Sequence, residues 1–308
     1  MNAPDTPDNS NQPFSARLYQ LTQRQRHWFF IAPALIILLL VVIYPIIFST
    51  GVSLFRVTFA SQSRPFVGLQ NFERMLGNDD FIQSALNTLY YVVFSVSGSF
   101  LLGFGVALLI RRITAGKELL RLILIIPITM APIVVGLMWN WMLDPLFGLV
   151  NWFLGLLGIP GQTMLAQAST ARLTVVLVDI WQWYPLVFLI IEAGMATLPR
   201  ARFESARLEG VSSWMIFRRL TLPMLRPVIL VALLLRTVDA FRTFDIVRVM
   251  TDGGPHLTTE TLSLYLYRTA FTFSKLSRAA AGSILMLLFI GLISALMFRY
   301  LYRDVEVG

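Results

Sequence analysis

The chain has 308 residues, of which 56% are hydrophobic and only 14% are charged, and its formal net charge is +8. A soluble domain normally contains about 25% charged residues, so this composition excludes an ordinary soluble protein and predicts an integral membrane protein. Cysteine is absent, which excludes disulfides and thiolate metal sites. We attribute the positive charge to cytoplasmic helix ends and predict no nucleic-acid partner.

The N-terminal segment, residues 1–26, is polar and rich in proline. It buries too little apolar surface to fold alone, so we predict a disordered cytoplasmic tail. The apolar run that follows, Trp28–Thr50, is too long for the hydrophobic region of a cleavable signal peptide and long enough to cross a membrane. We therefore predict a retained first helix at the start of a transmembrane domain over residues 28–303.

Six segments have the roughly 20 apolar residues that cross a bilayer. The predicted spans are Trp28–Thr50, Thr88–Ile110, Leu122–Leu143, Leu173–Leu198, Pro223–Ile246 and Ala279–Leu301. More Lys and Arg fall on the cytoplasmic side if the N-terminus is inside, so both termini are predicted to be cytoplasmic. Two further apolar stretches, Phe147–Leu157 and Leu262–Phe273, are predicted to be short helices at the outer interface.

The loop between the fourth and fifth predicted spans, residues 199–222, is too charged to cross a membrane. Pro199 suits a first helical turn, Gly210 suits the left-handed position after a helix, and Ser212 or Ser213 suits a helix N-cap. These signals predict two short helices joined as an elbow. On the residues alone, an elbow held by a partner protein and an ordinary interfacial loop both remain open.

Charged residues on the first elbow helix follow helical spacing. Arg200, Glu204 and Arg207 are placed so that they could pair along one face, while Phe203 falls on another. In the second helix, apolar residues three apart could dock against a partner.

This loop resembles the EAA motif of the membrane-spanning subunits of ABC importers. That motif has the pattern Glu-Ala-Ala, three residues, Gly, a spacer and an apolar-x-Leu-Pro end. The matching positions, which we predict to be ATPase-coupling residues, are Glu204, Ser205, Ala206, Glu209, Gly210, Leu222 and Pro223. Leu235–Ile246 and Thr251–Pro255 resemble the fifth span and outer loop of the carbohydrate branch, which includes maltose and glycerol-phosphate permeases.

The resemblance covers residues 28–303 and implies an all-α membrane protein of the type I ABC importer permease fold, with its core over residues 84–301 and a location in the bacterial inner membrane. It implies that loop 199–222 is a coupling helix seated in a cleft of an ATPase subunit. It further implies that the chain forms half of a pathway for a sugar or polyol. The implied partners are a second permease, two ATPase subunits and an extracytoplasmic solute-binding protein.

The chain lacks the phosphate-binding loop that is found in ATP-hydrolysing proteins. Gly116-Lys117 has neither the preceding glycine nor the following hydroxyl that this loop requires. We therefore predict no catalytic residue and no bound cofactor, with ATP and magnesium used by the partner ATPases. No metal site is predicted either, because the only histidines, His27 and His256, are far apart.

Polar residues inside predicted spans are candidates for a solute path, since charge within a membrane is costly. In span five, charges recur every three residues from Arg236 to Asp245; pairing along the helix and a place beside the solute path are both possible explanations. In spans three and four, polar groups adjoin aromatic rings, which suits sugar hydroxyls and C–H faces, although aromatic packing explains the rings equally well. The substrate-path candidates are Asn140, Asp179, Trp181, Gln182, Tyr184, Asp239 and Arg242.

The alternative function is a secondary transporter driven by an ion gradient. Such a carrier would be expected to show internal repeats or broken helices near the middle of the membrane. The sequence shows no convincing repeat, and the elbow would be unexplained. A membrane enzyme lacks support, because no H-E-x-x-H or G-x-S-x-G motif is present.

Overall fold

A computed structural model describes residues 31–57 and 64–305. Every regular element in these two ranges is helical, apart from one isolated bridge between Phe55 and Phe66, so the all-α fold is confirmed. The predicted tail, residues 1–26, and the start of the first span at Trp28 lie outside the described residues. The helices are α1 (Ile31–Ser53), α2 (Gln70–Leu76), α3 (Asp79–Ile110), α4 (Lys117–Thr129), α5 (Pro132–Met142), α6 (Leu149–Leu156), α7 (Ala168–Ala196), α8 (Arg200–Leu208), α9 (Ser213–Phe241), α10 (Asp245–Met250), α11 (Leu262–Tyr267) and α12 (Leu276–Val305).

Five of these helices, α1, α3, α7, α9 and α12, are long and apolar enough to cross a membrane. The sixth predicted span is present as a pair of shorter helices, α4 and α5, whose axes are bent by 97°. The two short helices predicted between spans are also present: α6 forms one, and α11 with a following π-helical turn, Arg268–Thr272, forms the other.

The predicted span Leu122–Leu143 is interrupted in the structure. Met130 and Ala131 are extended, and they separate α4 from α5. The reason is Pro132, which disfavours the helical conformation in the residue before it and offers no N–H to continue the helix. Pro127 removes a further backbone donor near the end of α4.

The bent pair nevertheless runs along α7 from one end to the other. Arg121 of α4 binds Glu192 near the C-terminus of α7, whereas Leu143, after α5, shares an apolar cluster with Val175 near its N-terminus. Glu192 and Val175 are separated by about 25 Å of helix at 1.5 Å per residue. The pair is therefore a broken span. We call the end that holds Glu192 the elbow end and the other the opposite end.

The fifth span differs from its predicted bounds at both ends. The second elbow helix and the span are one continuous helix, α9, which includes a π-helical turn at Phe217–Thr221 just before Pro223. At the other end α9 stops at Phe241, and Asp245 begins the separate helix α10. The expectation of four charges on one helix is therefore wrong.

Spans α3, α7 and α9 form the centre of the protein. The backbones of α3 and α7 approach so closely that a Cβ added at Gly103 would lie 2.5 Å from the Tyr184 carbonyl oxygen. Small residues permit this approach, as in many membrane helix pairs. In contrast, α1 has no buried residue in its most apolar stretch and contacts α12 at the periphery.

The opposite end is closed by the loop that precedes α11. Asn87 of α3 donates to the Leu257 carbonyl at 2.7 Å, and Arg172 of α7 donates to the Thr258 carbonyl at 2.7 Å. Within the loop, Glu260 accepts a 2.9 Å bond from Arg268. Burial raises the pKa of Glu260, and the guanidinium of Arg268 partly opposes that shift.

Candidate functional site

The elbow turns through a Schellman motif. Helix α8 ends at Leu208, and Gly210 adopts φ +76°, as predicted for a left-handed C-terminal residue. The Val211 N–H donates to the Ala206 carbonyl and the Gly210 N–H to the Arg207 carbonyl, both at 3.0 Å. These two bonds satisfy carbonyls that a helix end otherwise leaves unpaired, so the elbow has a defined angle.

The second arm of the elbow begins with the predicted N-cap. Ser212 accepts a 3.3 Å bond from the Met215 N–H, which satisfies one donor of the first turn. Pro199 occupies the N-cap of α8, one position before the predicted first turn. The elbow is thus a pair of capped helices.

One face of the elbow is anchored in the protein. Phe203 is buried, and the guanidinium carbon of Arg111 lies 5.9 Å from the centre of its ring. Ala206 and Val211 pack, half-buried, against an apolar cluster that contains Ile216. This face therefore packs both arms of the elbow against the spans.

The other face is exposed and contains both apolar and acidic groups. Leu208 is 90% exposed and Trp214 is 67% exposed. Glu204 and Ser205 are exposed beside them, and the Ser205 hydroxyl lies 3.3 Å from a carboxylate oxygen of Glu209. An apolar edge with free carboxylates is suited to insertion into a cleft of another protein.

The predicted pairing along α8 is wrong. Within the described chain, Glu204 makes no ion pair with Arg200 or Arg207 inside 4.0 Å. Exposed helical pairs contribute only about 0.3–0.5 kcal/mol, which solvent and side-chain entropy readily offset. The carboxylate of Glu204 therefore remains available on the exposed face.

The remaining motif residues, Leu222 and Pro223, lie on α9 directly after its π-helical turn. Leu222 is half-buried and Pro223 is exposed. The motif therefore extends from the elbow into the membrane-spanning part of the same helix.

A second group of predicted residues surrounds a buried arginine. Arg236 of α9 is 0% exposed and forms an ion pair with Asp179 of α7, which is 1% exposed. Its guanidinium also donates to Ser95 at 2.6 Å and to Ser99 at 3.4 Å, both on α3. The Trp183 ring centre lies 5.7 Å from its Cζ atom. One side chain thus joins three spans.

Asp239 and Arg242 lie at the edge of this group. Asp239 pairs with Arg236 at 3.1 Å, so pairing along the helix is confirmed for these two residues. Arg242 caps α9 and is exposed. The pairing of Arg236 with Asp179 was not predicted, because residue spacing along one helix contains no information about contacts between helices. The serines on α3 indicated only that this helix could pack closely against a neighbour.

Three other candidates hold the broken span against its neighbours. Gln182 donates to the Met130 carbonyl at 3.0 Å, and Tyr184 donates to the Leu124 carbonyl at 3.1 Å. Asn140 of α5 donates to the Val249 carbonyl of α10 at 3.1 Å. The bond from Gln182 satisfies a carbonyl at the break, which lipid would leave unpaired. The other two bonds attach α4 to α7 and α5 to α10.

Trp181 packs edge-on against Trp139, with ring centres 5.5 Å apart. The second carboxylate oxygen of Asp179 and the amide oxygen of Gln182 are buried and have no hydrogen-bond partner in the described chain. No group of three or more potential metal ligands occurs among the described residues.

The family of the chain follows from comparison with known proteins. Residues 99–307 match the model of the family described as binding-protein-dependent transport system inner membrane component. The chain belongs to this family. Membership confirms the resemblance seen in the elbow and a location in the inner membrane, and it gives no support to a gradient-driven carrier.

Curated relatives match nearly the whole chain. A trehalose/maltose transport system permease protein of Thermococcus litoralis is 35% identical, covering 88% of this chain and 90% of that protein. A sulfoquinovosyl glycerol transport system permease protein of Agrobacterium fabrum is 32% identical, covering 91% of each. An sn-glycerol-3-phosphate transport system permease protein of the same organism is 31% identical, covering 90% of this chain and 95% of that protein.

The fold also matches solved structures. A chain of a bacterial ABC transporter that imports the acidic polysaccharide alginate superposes with a TM-score of 0.81 at 22% identity, covering 93% of this chain and 99% of that chain. This likeness confirms the type I ABC importer permease fold for the present chain.

Proposed function

We propose that this permease forms half of the membrane pathway of an importer whose cargo is a sugar or polyol. The observation that supports this most directly is the nature of the relatives at 31–35% identity, which are named for trehalose or maltose, a sulfosugar glycerol conjugate and glycerol-3-phosphate. All of these solutes present several hydroxyl groups.

The elbow is proposed to couple this pathway to ATP hydrolysis on separate ATPase subunits, which would use magnesium and ATP. Its exposed edge, with Leu208, Trp214 and Glu204, would sit in a cleft of an ATPase. Its opposite face is packed against the spans through Phe203, so displacement of the elbow would move α9 as well. A second permease and a solute-binding protein on the outer side would complete the complex.

The solute path is proposed to border the buried arginine group. Asp179 and Gln182 retain acceptor oxygens for which sugar hydroxyls are suitable donors. Asp239 and Arg242 reach the surface of the chain and could meet a solute between two permeases. Trp181, Tyr184 and Asn140 would then shape and support this region through the contacts described above.

Replacing Gly210 by valine tests the coupling role. A β-branched residue is strongly disfavoured at φ +76°, so the variant should distort the elbow. In vesicles that contain the complete transport system, uptake of labelled maltose, trehalose or glycerol-3-phosphate should fall about tenfold or more, since a misplacement of about 1 Å in a coupled geometry can cost that much. ATP hydrolysis should persist without stimulation by cargo.

The matched control is Gly158→Val in the loop after α6. Gly158 has φ +73° and, like Gly210, has nothing within 4 Å of an added Cβ atom, so the local strain is equivalent. Uptake by this variant should match that of the parent protein. Equal uptake by the Gly210→Val and Gly158→Val variants would contradict the coupling proposal. If the parent protein takes up none of the labelled sugars and polyols, the cargo proposal is contradicted.

A further inference from the structure

A large cavity opens at the elbow end, between α3, α4, α7 and α8. Its volume is about 580 Å³. Four basic residues and one acidic residue line it together with apolar side chains of α3 and α7; the charged residues are Arg111, Lys117, Arg121, Arg200 and Glu192. The lining of the cavity is therefore both basic and apolar.

The single carboxylate is already occupied by two of the four cations. Glu192 receives bonds from Arg121 at 2.5 and 3.1 Å and lies 3.6 Å from the ammonium of Lys117. Arg111 and Arg200 have no carboxylate within 4.0 Å in the described part of the chain. The cavity consequently presents two guanidinium groups whose charge is not neutralised by the protein.

Uncompensated guanidinium groups around a cavity are suited to a phosphate, because their planar donors match its oxygens. A molecule bound in the cavity would also meet the apolar side chains that line it, among them Leu189 and Ala107.

We propose that this cavity binds a phosphate group, supplied by the headgroup of an anionic phospholipid or by free phosphate. The apolar side chains that line the cavity favour the lipid over free phosphate. Basic pockets between spans at the cytoplasmic side are general sites for acidic headgroups. Because Arg200 is the first residue of α8, a bound phosphate would also hold the start of the elbow. An effect of that contact on transport rests on the proposed coupling role, whereas phosphate binding itself does not.

The test is lipid binding by the full chain, purified with the subunits that accompany it and placed in nanodiscs of phosphatidylcholine with increasing phosphatidylglycerol. Retained lipid is counted by native mass spectrometry. The parent protein should retain phosphatidylglycerol in preference to phosphatidylcholine. The double variant Arg111→Gln with Arg200→Gln should bind it about 100-fold more weakly, since each hydrogen bond from a guanidinium to the phosphate contributes roughly a factor of ten.

The control is Arg112→Gln with Arg202→Gln, which removes the same charge from the same two segments at exposed positions outside the cavity. This control variant should retain phosphatidylglycerol as the parent protein does. Because Arg111 also contacts Phe203, the single variant Arg200→Gln is measured as well, and thermal unfolding verifies that each variant is folded. Equal losses in both double variants, or no preference in the parent protein, would overturn the proposal.

Inorganic phosphate distinguishes the two sources. If millimolar phosphate displaces bound phosphatidylglycerol from the parent protein but not from nanodiscs of the double variant, the site accepts phosphate itself. If phosphate has no effect while the preference for phosphatidylglycerol persists, the lipid is the occupant. If phosphatidylglycerol counts respond to salt alone and equally in all variants, the cavity has no specific site.

Discussion

The guanidinium of Arg236 makes polar contacts with two neighbouring spans. It is fully buried and reaches Asp179 on α7, Ser95 on α3 and Asp239 on its own helix. A buried charge is costly unless it is paired and hydrogen-bonded, and here the hydrogen-bonding partners come from three different helices. This residue therefore specifies how the helices are placed with respect to one another.

Replacing Arg236 by methionine should destabilise the protein by about 3–5 kcal/mol, because it leaves Asp179 charged and unpaired in the interior. Adding Asp179→Asn to the Arg236→Met variant removes the unpaired buried charge and should recover most of the lost stability. Thermal unfolding in detergent measures both effects. A double variant as unstable as the single one would show that the pair is not the source of the stability.

Asp239→Asn serves as the comparison for these variants. The Asp239 side chain is 32% exposed, so loss of its ion pair should change stability by less than about 1 kcal/mol. If the solute path borders this residue, as proposed, the same variant should nevertheless lower uptake. Unchanged uptake would place the path elsewhere.

At the scale of the helices, the packing of α3 on α7 depends on a glycine. A Cβ atom at Gly103 would lie 2.5 Å from the Tyr184 carbonyl oxygen and 2.8 Å from the Val187 Cβ atom. Backbone and β-carbon atoms cannot rotate away as a flexible side chain can. The two helices would have to separate to admit even a methyl group.

Gly103→Ala should therefore lower the free energy of unfolding by about 1–3 kcal/mol, the usual range for overpacking a close contact. Gly105, two residues along the same helix, has nothing within 4 Å of an added Cβ atom. Gly105→Ala should leave the stability unchanged or raise it slightly. Thermal unfolding of the two variants compares them directly, and similar losses would refute the close-contact explanation.

Most helices could be predicted from hydropathy, because length and apolar content determine which segments can cross a membrane. The angle of the break at Met130 and the end of α9 at Phe241 could not. Pro132 predicts an interruption near Met130 but not its angle, and the bond from Gln182 to the Met130 carbonyl is a tertiary contact that local sequence does not reveal. The elbow turn was predictable because Gly210 and Ser212 act locally, whereas the pairing of Asp179 with Arg236 depends on tertiary contacts.

At the scale of the whole molecule, the two ends have different composition. The elbow end contains the basic cavity and the elbow, while the opposite end contains the loop bound by Asn87 and Arg172. The positive-inside rule predicts that the elbow end lies in the cytoplasm. The bent pair α4 and α5 then has to cross the membrane for α6 to lie outside.

Cysteine labelling tests this orientation, and the chain has no native cysteine to interfere. Ala115→Cys, in the exposed loop before α4, should react with a membrane-impermeant maleimide only from the cytoplasmic side. Leu146→Cys, at a position that is 91% exposed, should react only from outside. Labelling of both from one side would show that the bent pair is re-entrant.

The unbroken run of α9 has a mechanical consequence. From Ser213 to Arg236 the helix extends about 35 Å, at 1.5 Å per residue. A tilt of only about 5° imposed at the elbow would displace the guanidinium by about 3 Å, which is comparable to the full length of a hydrogen bond. A small rotation at the elbow would therefore be large enough to make or break the ion pair between Arg236 and Asp179.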